Sequence, residues 1–122
     1  MKPRRYLVTA LVFFVFALIA LVSLVYADSG TPGTGTYYAT TSGVKWPQQQ
    51  THPVKWIIWT NITSDSDDLV VQEYDPDTNA WKNLFSVKGK TGWDMKIDVD
   101  ADIRGCNIST LDSGTVQIRF GE

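Results

Sequence analysis

The chain has 122 residues, with 13 acidic against 11 basic side chains, one cysteine and one histidine. Residues 6–27 carry no charge, so the 95 residues that follow them suffice for one small domain and exclude a second. That remainder holds all 13 acids but only 8 of the bases, a formal charge of −5, which is the wrong sign for a phosphate-binding surface. We therefore expect no nucleic-acid partner.

The N-terminal segment consists of a basic patch, an apolar run over residues 6–27 and a polar start at Asp28. The run would form a helix of about 33 Å, enough to cross a hydrocarbon core of about 30 Å. Val25 and Ala27 also place small residues where a signal peptidase cuts, so residues 1–27 are predicted to be a signal anchor or a signal peptide. In both cases the basic patch keeps the N-terminus cytoplasmic and the rest extracytoplasmic, membrane-anchored through residues 6–27 or secreted after cleavage.

Beyond the apolar run, the pattern predicts a stalk and then an all-β domain. Residues 28–35 are turn formers without an apolar side chain, which is typical of a flexible stalk. Residues 36–122 show no helical period, and strand formers cover 36–41, 54–62, 69–74, 80–87, 93–100 and 115–120. Residues 101–114 are predicted to cross between sheets as a loop. This spacing predicts a single antiparallel β-sandwich of the jelly-roll kind.

Alternation along the strands assigns side chains to faces. The clearest case places Trp93, Met95, Ile97 and Val99 toward the core, with Asp94, Lys96, Asp98 and Asp100 toward solvent. In the strand over 54–62, we assign Trp56 and Ile58 to the core. Trp59 is then expected on the opposite face.

Three stretches resemble the small jelly-roll modules of prokaryotic, notably archaeal, cell-surface proteins. They run from Asp68 to Leu84, through Gly-Trp-Asp-Met-Lys-Ile-Asp-Val-Asp to Asp100, and from Gly114 to Phe120. The resemblance spans residues 68–120 and rests on an Asp/Asn turn, a Trp strand, a strand that begins with Gly-Trp, and a closing Ile-Arg-Phe. It implies a surface display or structural module and not an enzyme.

The sequence contains no motif for catalytic or redox chemistry. His52 precedes Pro53 at the start of a strand, and no serine or cysteine motif pairs with it. We therefore expect no enzyme, no catalytic residue and no cofactor. Cys106 cannot form an internal disulfide, so it is expected to be a small buried hydrophobe, with a bridge to another chain as the alternative.

Two rows of oxygen-bearing side chains are weak candidates for calcium. One row has the i, i+2, i+4 spacing of a calcium loop, but Ala80 stands where a turning glycine is expected. The other lies on one face of a strand. The rows are Asp75, Asp77 and Asn79, and Asp98, Asp100 and Asp102. Solvated surface is the default interpretation of both, so no metal site is assigned.

Three functions fit an exported module. The first is assembly into a filament or surface layer, in which a strand over Tyr37, Tyr38, Ala39 and Thr40 pairs with a neighbouring subunit of a homo-oligomer. The second is adhesion to a carbohydrate or other ligand through exposed Trp46 or Trp59. The third, a pilin-like subunit with the apolar helix in a filament core, has less support because Arg5 stands where a small residue would be cut.

Two sequons would make the exported domain a glycoprotein. Asn61-Ile-Thr and Asn107-Ile-Ser both match the N-glycosylation acceptor pattern without proline.

Overall fold

The computed structural model describes residues 28–121, so the predicted signal anchor or signal peptide lies outside the described residues. Seven strands and no helix occur between residues 28 and 121. They are β1 (Ser29–Thr31), β2 (Thr34–Ala39), β3 (Gly43–Thr60), β4 (Asp68–Asp75), β5 (Ala80–Lys88), β6 (Met95–Leu111) and β7 (Thr115–Phe120). All pairings are antiparallel, which confirms the predicted all-β antiparallel class. No helix in this part of the chain is long and apolar enough to span a membrane.

The strands form one sheet in the order β1-β2-β7-β3-β6-β4-β5. Two strands, β3 with 18 residues and β6 with 17, are long enough to belong to two regions of that sheet. In the first half-sheet, β1, β2 and β7 continue into residues 54–60 of β3 and 95–102 of β6. In the second half-sheet, residues 43–52 of β3 pair with residues 103–108 of β6, whose later residues pair with β4, and β4 pairs with β5.

The two long strands change register where the half-sheets meet. β3 has a register shift between Val54 and Trp56, and Asp100 of β6 adopts a left-handed φ of 47°. Bulges of this kind bend a strand and increase its twist. Ile57 and Ile118 of the first half-sheet belong to the same buried cluster as Leu69 of the second. The sheet therefore folds over one core, which is compatible with the predicted sandwich.

The strands extend further than the sequence predicts. Residues 101–111, predicted as a loop, continue β6, and the stretch before residue 54 is the first half of β3. In β6 the alternation is broken by Gly105, which has φ 62° and is buried next to buried Cys106. In the first part of β3, Pro47 and three glutamines do not have the composition of a strand, so the sequence gives no signal for it. This part pairs with β6 alone, and such an edge strand tolerates the missing N–H group of a proline.

Residues 28–35, predicted as a flexible stalk, belong to the folded domain in the structure. Asp28 accepts a hydrogen bond from the Thr40 N–H at 2.7 Å and pairs with Lys45 Nζ at 2.5 Å. Burial alone would raise the pKa of Asp28, but the hydrogen bonds from Lys45 and Thr40 and the Lys45 charge outweigh it, so the pKa is lowered. Gly30 and Gly33 take φ values of 100° and 98°, so these glycines shape a hairpin instead of loosening the chain.

Candidate ligand-binding site

The two tryptophans predicted as a ligand platform lie inside the core. Trp46 and Trp59 are 2% and 0% exposed. Their indole N–H groups donate to the Ile103 carbonyl at 3.2 Å and the Ser113 carbonyl at 2.8 Å, so each ring is both packed and hydrogen-bonded. Neither can stack against a ligand, and this corrects the prediction.

The error comes from the direction assigned to β3. Ile57 and Trp59 point into the core, whereas Trp56 and Ile58 are only half-buried. All four side chains are large and apolar, so alternation shows that the strand has two faces but not which one is inside.

The exposed tryptophan is one that the sequence pattern placed inside. Trp93 is 60% exposed because β6 begins only at Met95, and Trp93 stands in the loop before it. The rest of the predicted alternation agrees with the structure, since Met95 and Val99 pack against the core. The signal that could have identified Trp93 is the Lys-Gly-Lys-Thr-Gly turn directly before it, where a strand has not yet started.

Trp93 is held on a short loop, residues 89–93, which we call the platform loop. Backbone hydrogen bonds tie the Gly89 N–H to the Asp67 carbonyl at 2.8 Å and the Gly92 N–H to the Ile62 carbonyl at 3.1 Å. The Trp93 N–H donates to the carbonyl of Lys90 at 3.0 Å and closes the turn. The loop is therefore ordered before any ligand arrives.

A carboxylate from the neighbouring loop adds a further tie. Asp65 accepts hydrogen bonds from the Thr91 N–H at 2.8 Å and the Thr91 hydroxyl at 2.9 Å. These bonds, from the backbone first and the hydroxyl second, lower the pKa of Asp65. The carboxylate is therefore charged in neutral solution and holds the loop from the side.

The floor of the platform loop is the core itself. Gly89 is buried, and a Cβ atom there would lie 2.7 Å from Ile62 Cγ2 and 2.8 Å from the Trp59 ring. Above this floor, Lys90 Nζ lies 4.9 Å from the centroid of the Trp93 ring, a cation–π contact. The site thus offers an exposed aromatic ring, an ammonium group and neighbouring hydroxyl and carboxylate groups.

The predicted donor strand occupies the protein's own sheet. Within β2, Tyr37 and Ala39 are 8% and 0% exposed and belong to the core, while Tyr38 is 41% exposed. β2 pairs with β7, and Thr40 follows its end, held by Asp28. Donation to a neighbour would therefore require this strand to leave its own core.

The calcium candidates are not brought together as metal sites. Among residues 28–121, no group of three or more His, Cys, Asp or Glu residues could hold a metal ion. In the first row, Asp75 pairs with Lys82 at 2.5 Å, and Asn79 Oδ1 accepts from the Tyr74 hydroxyl. Asp77, Asp98, Asp100 and Asp102 are the remaining members of the two rows, and all four are exposed.

The two sequons lie in different environments in the structure. Asn61 is exposed at the end of β3 with a left-handed φ of 58°, and Thr63 of its sequon is also exposed. Asn107 lies within β6, and its amide donates to Gln72 Oε1 at 2.9 Å. Glycosylation of either residue stays a prediction.

The histidine and the cysteine are both packed. The His52 ring lies 5.3 Å from Trp46 and 5.9 Å from Phe120, centroid to centroid, on β3. Cys106 is 1% exposed and free, and desolvation raises the pKa of its thiol to about 12. A thiol with this pKa is protonated and unreactive at neutral pH.

A cleft of about 410 Å³ lies where the half-sheets meet. It is lined by residues 53–55, 100–102 and Gly121, including Lys55, Asp100 and Asp102. This lining offers charge but no aromatic ring. The platform loop is therefore the better candidate for binding a ring-shaped ligand.

Comparison with known proteins shows only distant structural likeness. No family model and no curated protein matches the sequence. The core of Drosophila NLP, described in terms of pentamer formation and histone binding, matches with a TM-score of 0.47 and 18% identity over 70% of this chain and 95% of that one. CBM32-1, from a family 31 glycoside hydrolase of Clostridium perfringens, matches with a TM-score of 0.39 and 13% identity over 77% and 78%. These weak likenesses carry no argument about function.

Proposed function

We propose that this protein is a non-catalytic, extracytoplasmic recognition module that binds carbohydrate through Trp93. The observation that carries the proposal is the combination of exposure and order: the Trp93 ring is 60% exposed, yet its loop is tied by hydrogen bonds. An aromatic ring held in place loses little conformational entropy when a ligand stacks on it. Exposed tryptophans of this kind dominate the energy of many binding sites.

The groups around Trp93 suit a sugar. A pyranose presents an apolar face to an aromatic ring and hydroxyl groups at its rim. Lys90 places an ammonium donor over the ring, Asp94 is the next residue in the chain, and Asp65 bonds Thr91 of the same loop; all three side chains are exposed. Because Lys90 lies over one face of Trp93, the opposite face is the one we assign to the ligand.

The assembly hypothesis competes with this proposal. It rested on a free arm and a shortage of strands, but β1 and β2 complete the sheet of the same chain. Assembly by strand donation would therefore need an exchange of β2 between subunits. Recognition needs no rearrangement of the described residues, and we favour it for that reason.

The test is a binding screen of the full-length protein, purified in mild detergent, against soluble polysaccharides by affinity electrophoresis. We expect at least one glycan to retard the protein, and Trp93→Ala to weaken that binding about 30-fold, equivalent to about 2 kcal/mol. Tyr38→Ala, at a second exposed aromatic position, is the control and should bind normally. Equal binding by the Trp93→Ala variant and the wild type would refute the proposal.

A further inference from the structure

The outer surface of the second half-sheet carries a row of amide side chains. The Asn107 amide donates to Gln72 Oε1 at 2.9 Å, and the Gln72 amide donates to Asn83 Oδ1 at 3.0 Å. The row crosses β6, β4 and β5 at one level, since Gln72 is the register partner of both Asn107 and Asn83. We call these three residues the amide ladder. Each bond uses only part of an amide's capacity, so donors and acceptors remain for a ligand.

An aromatic pair and a guanidinium lie next to the amide ladder. Tyr74 and Trp81 are register partners on β4 and β5, with ring centroids 5.6 Å apart. Tyr74 is 9% exposed but does not belong to the core cluster, whereas Trp81 is half-buried. Arg104 Cζ lies 6.0 Å from the Tyr74 ring centroid. The Arg104 Nε–H donates to the Gln48 carbonyl at 2.9 Å, which fixes the guanidinium, and neither terminal nitrogen bonds any of residues 28–121.

Gly105 of β6 leaves room for the ring of Trp81, which comes from β5 on the far side of β4. A Cβ atom at Gly105 would be 2.9 Å from Trp81 Cη2, so any side chain there would displace the ring. Trp81 therefore reaches over the backbone of β6 and remains half-buried on the outer surface. This surface, the amide ladder with Tyr74, Trp81 and Arg104, is hereafter the amide–tryptophan face.

The charge on this face differs from that of the chain as a whole. Residues 28–122 carry a formal charge of −5, but none of the six side chains that define the face is acidic, and Arg104 is cationic. The carboxylates of Glu73 and Asp75 occupy the alternate positions of β4 and so point to the other side. Asp102 lies two residues before Arg104 on β6, but among the described residues no carboxylate forms a salt bridge with Arg104. Its guanidinium is therefore available to an anionic group of a ligand.

We propose that the amide–tryptophan face binds an acidic polysaccharide. Arg104 pairs its terminal nitrogens with the carboxylate of a uronate unit, and Trp81 packs against a pyranose ring. The amide ladder hydrogen-bonds hydroxyl groups of the neighbouring units. This site is separate from the platform loop, since it uses β4, β5 and the second part of β6.

The test compares two forms of one polymer, polygalacturonate and its methyl-esterified derivative, with the full-length protein in mild detergent. We expect the free acid to bind and the ester to bind at least tenfold more weakly, because esterification removes the charge that Arg104 pairs. Arg104→Gln should lose about tenfold or more in affinity for the free acid and should no longer distinguish the two polymers. Arg104→Lys, which keeps the charge but not the planar fork, should recover part of the affinity.

Two controls separate this inference from the proposed function. Arg119→Gln removes an exposed arginine from β7 and should leave binding of polygalacturonate unchanged. Trp93→Ala should keep the wild-type preference for the free acid over the ester, because the carboxylate is paired by Arg104 and not by the platform loop. Failure of the wild type to bind polygalacturonate, or equal losses in the Arg104→Gln and Arg119→Gln variants, would overturn the inference without touching the assignment of Trp93. Thermal unfolding of each variant confirms that the compared proteins are folded.

Discussion

Trp59 and Trp93 are close in the fold and opposite in environment. Trp59 is fully buried, packs beneath Gly89 and donates its indole N–H to the Ser113 carbonyl. Trp93 is 60% exposed four residues after Gly89, in a loop ordered by hydrogen bonds and not by burial of its own ring. Trp59 stabilises the fold, whereas the exposed ring of Trp93 is available to contact a ligand. The comparison shows that the role of a tryptophan follows from its partners and not from the strand pattern around it.

The largest expected effect tests this contrast directly. Trp59→Ala should lower the free energy of unfolding by about 3–5 kcal/mol, because it leaves a large cavity and removes a buried hydrogen bond. Trp93→Ala should change it by less than about 0.5 kcal/mol, because the ring is on the surface. Urea unfolding followed by circular dichroism measures both. Similar losses for the two variants would contradict the assigned environments.

A smaller effect is expected at the glycines of the platform loop. Gly89→Ala places a methyl group 2.7–2.8 Å from Ile62 and the Trp59 ring, and we expect a loss of about 1–3 kcal/mol from overpacking. Gly92→Ala meets no atom within 4 Å, but its φ of 75° is left-handed, which costs an alanine about 1 kcal/mol. Thermal unfolding of the two variants should therefore rank Gly89→Ala as the less stable. The reverse order would show that the loop does not rest on Trp59.

The smallest effect is a pH dependence of ligand binding at Trp93. The hydrogen bonds from Thr91 lower the pKa of Asp65 in the folded protein. The charged carboxylate therefore holds Thr91 fully above the ordinary pKa of 3.8, and this interaction is lost as the pH falls through the lowered pKa of the folded protein. Affinity for a glycan bound at Trp93 should therefore hold down to about pH 4 and then decline. Asp65→Asn keeps an acceptor for Thr91 but cannot titrate, so its binding should decline less over the same range. Identical pH profiles for the two proteins would exclude this role for Asp65.

The sequence predicts much of the fold because hairpin signals are local. The turn between β4 and β5 is predicted from the Pro, Asp and Asn residues at 75–79, and both flanking strands are found within two residues of their predicted ends. What the sequence does not predict is the bend in β3 and β6. A bulge depends on which strands meet on either side of it, and residues such as Gly105 appear in the sequence only as a break in the alternation.

The candidate sites are less predictable than the fold, for a related reason. The sequence pattern places Trp93 in the core because it continues the alternation of β6, and it predicts Trp46 to be exposed because no strand is predicted around it. Whether a strand continues or stops at such a position is decided by distant partners, here Ile62 for the platform loop and Ile103 for Trp46. The amide ladder was not predicted at all, since its three residues come from three strands.

The bulge at Asp100 has a consequence for how copies of this chain meet at high concentration. Residues 95–102 of β6 pair only with β3 among the described residues, so this segment has an open backbone edge. Exposed edges invite aggregation, but here a neighbouring copy would bring its carboxylates against those of Asp98, Asp100 and Asp102. The left-handed backbone at Asp100 would also interrupt any added ladder of hydrogen bonds. The acidic row of Asp98, Asp100 and Asp102 therefore opposes extension of the sheet at this edge, and it directs any association of two chains toward the other edges.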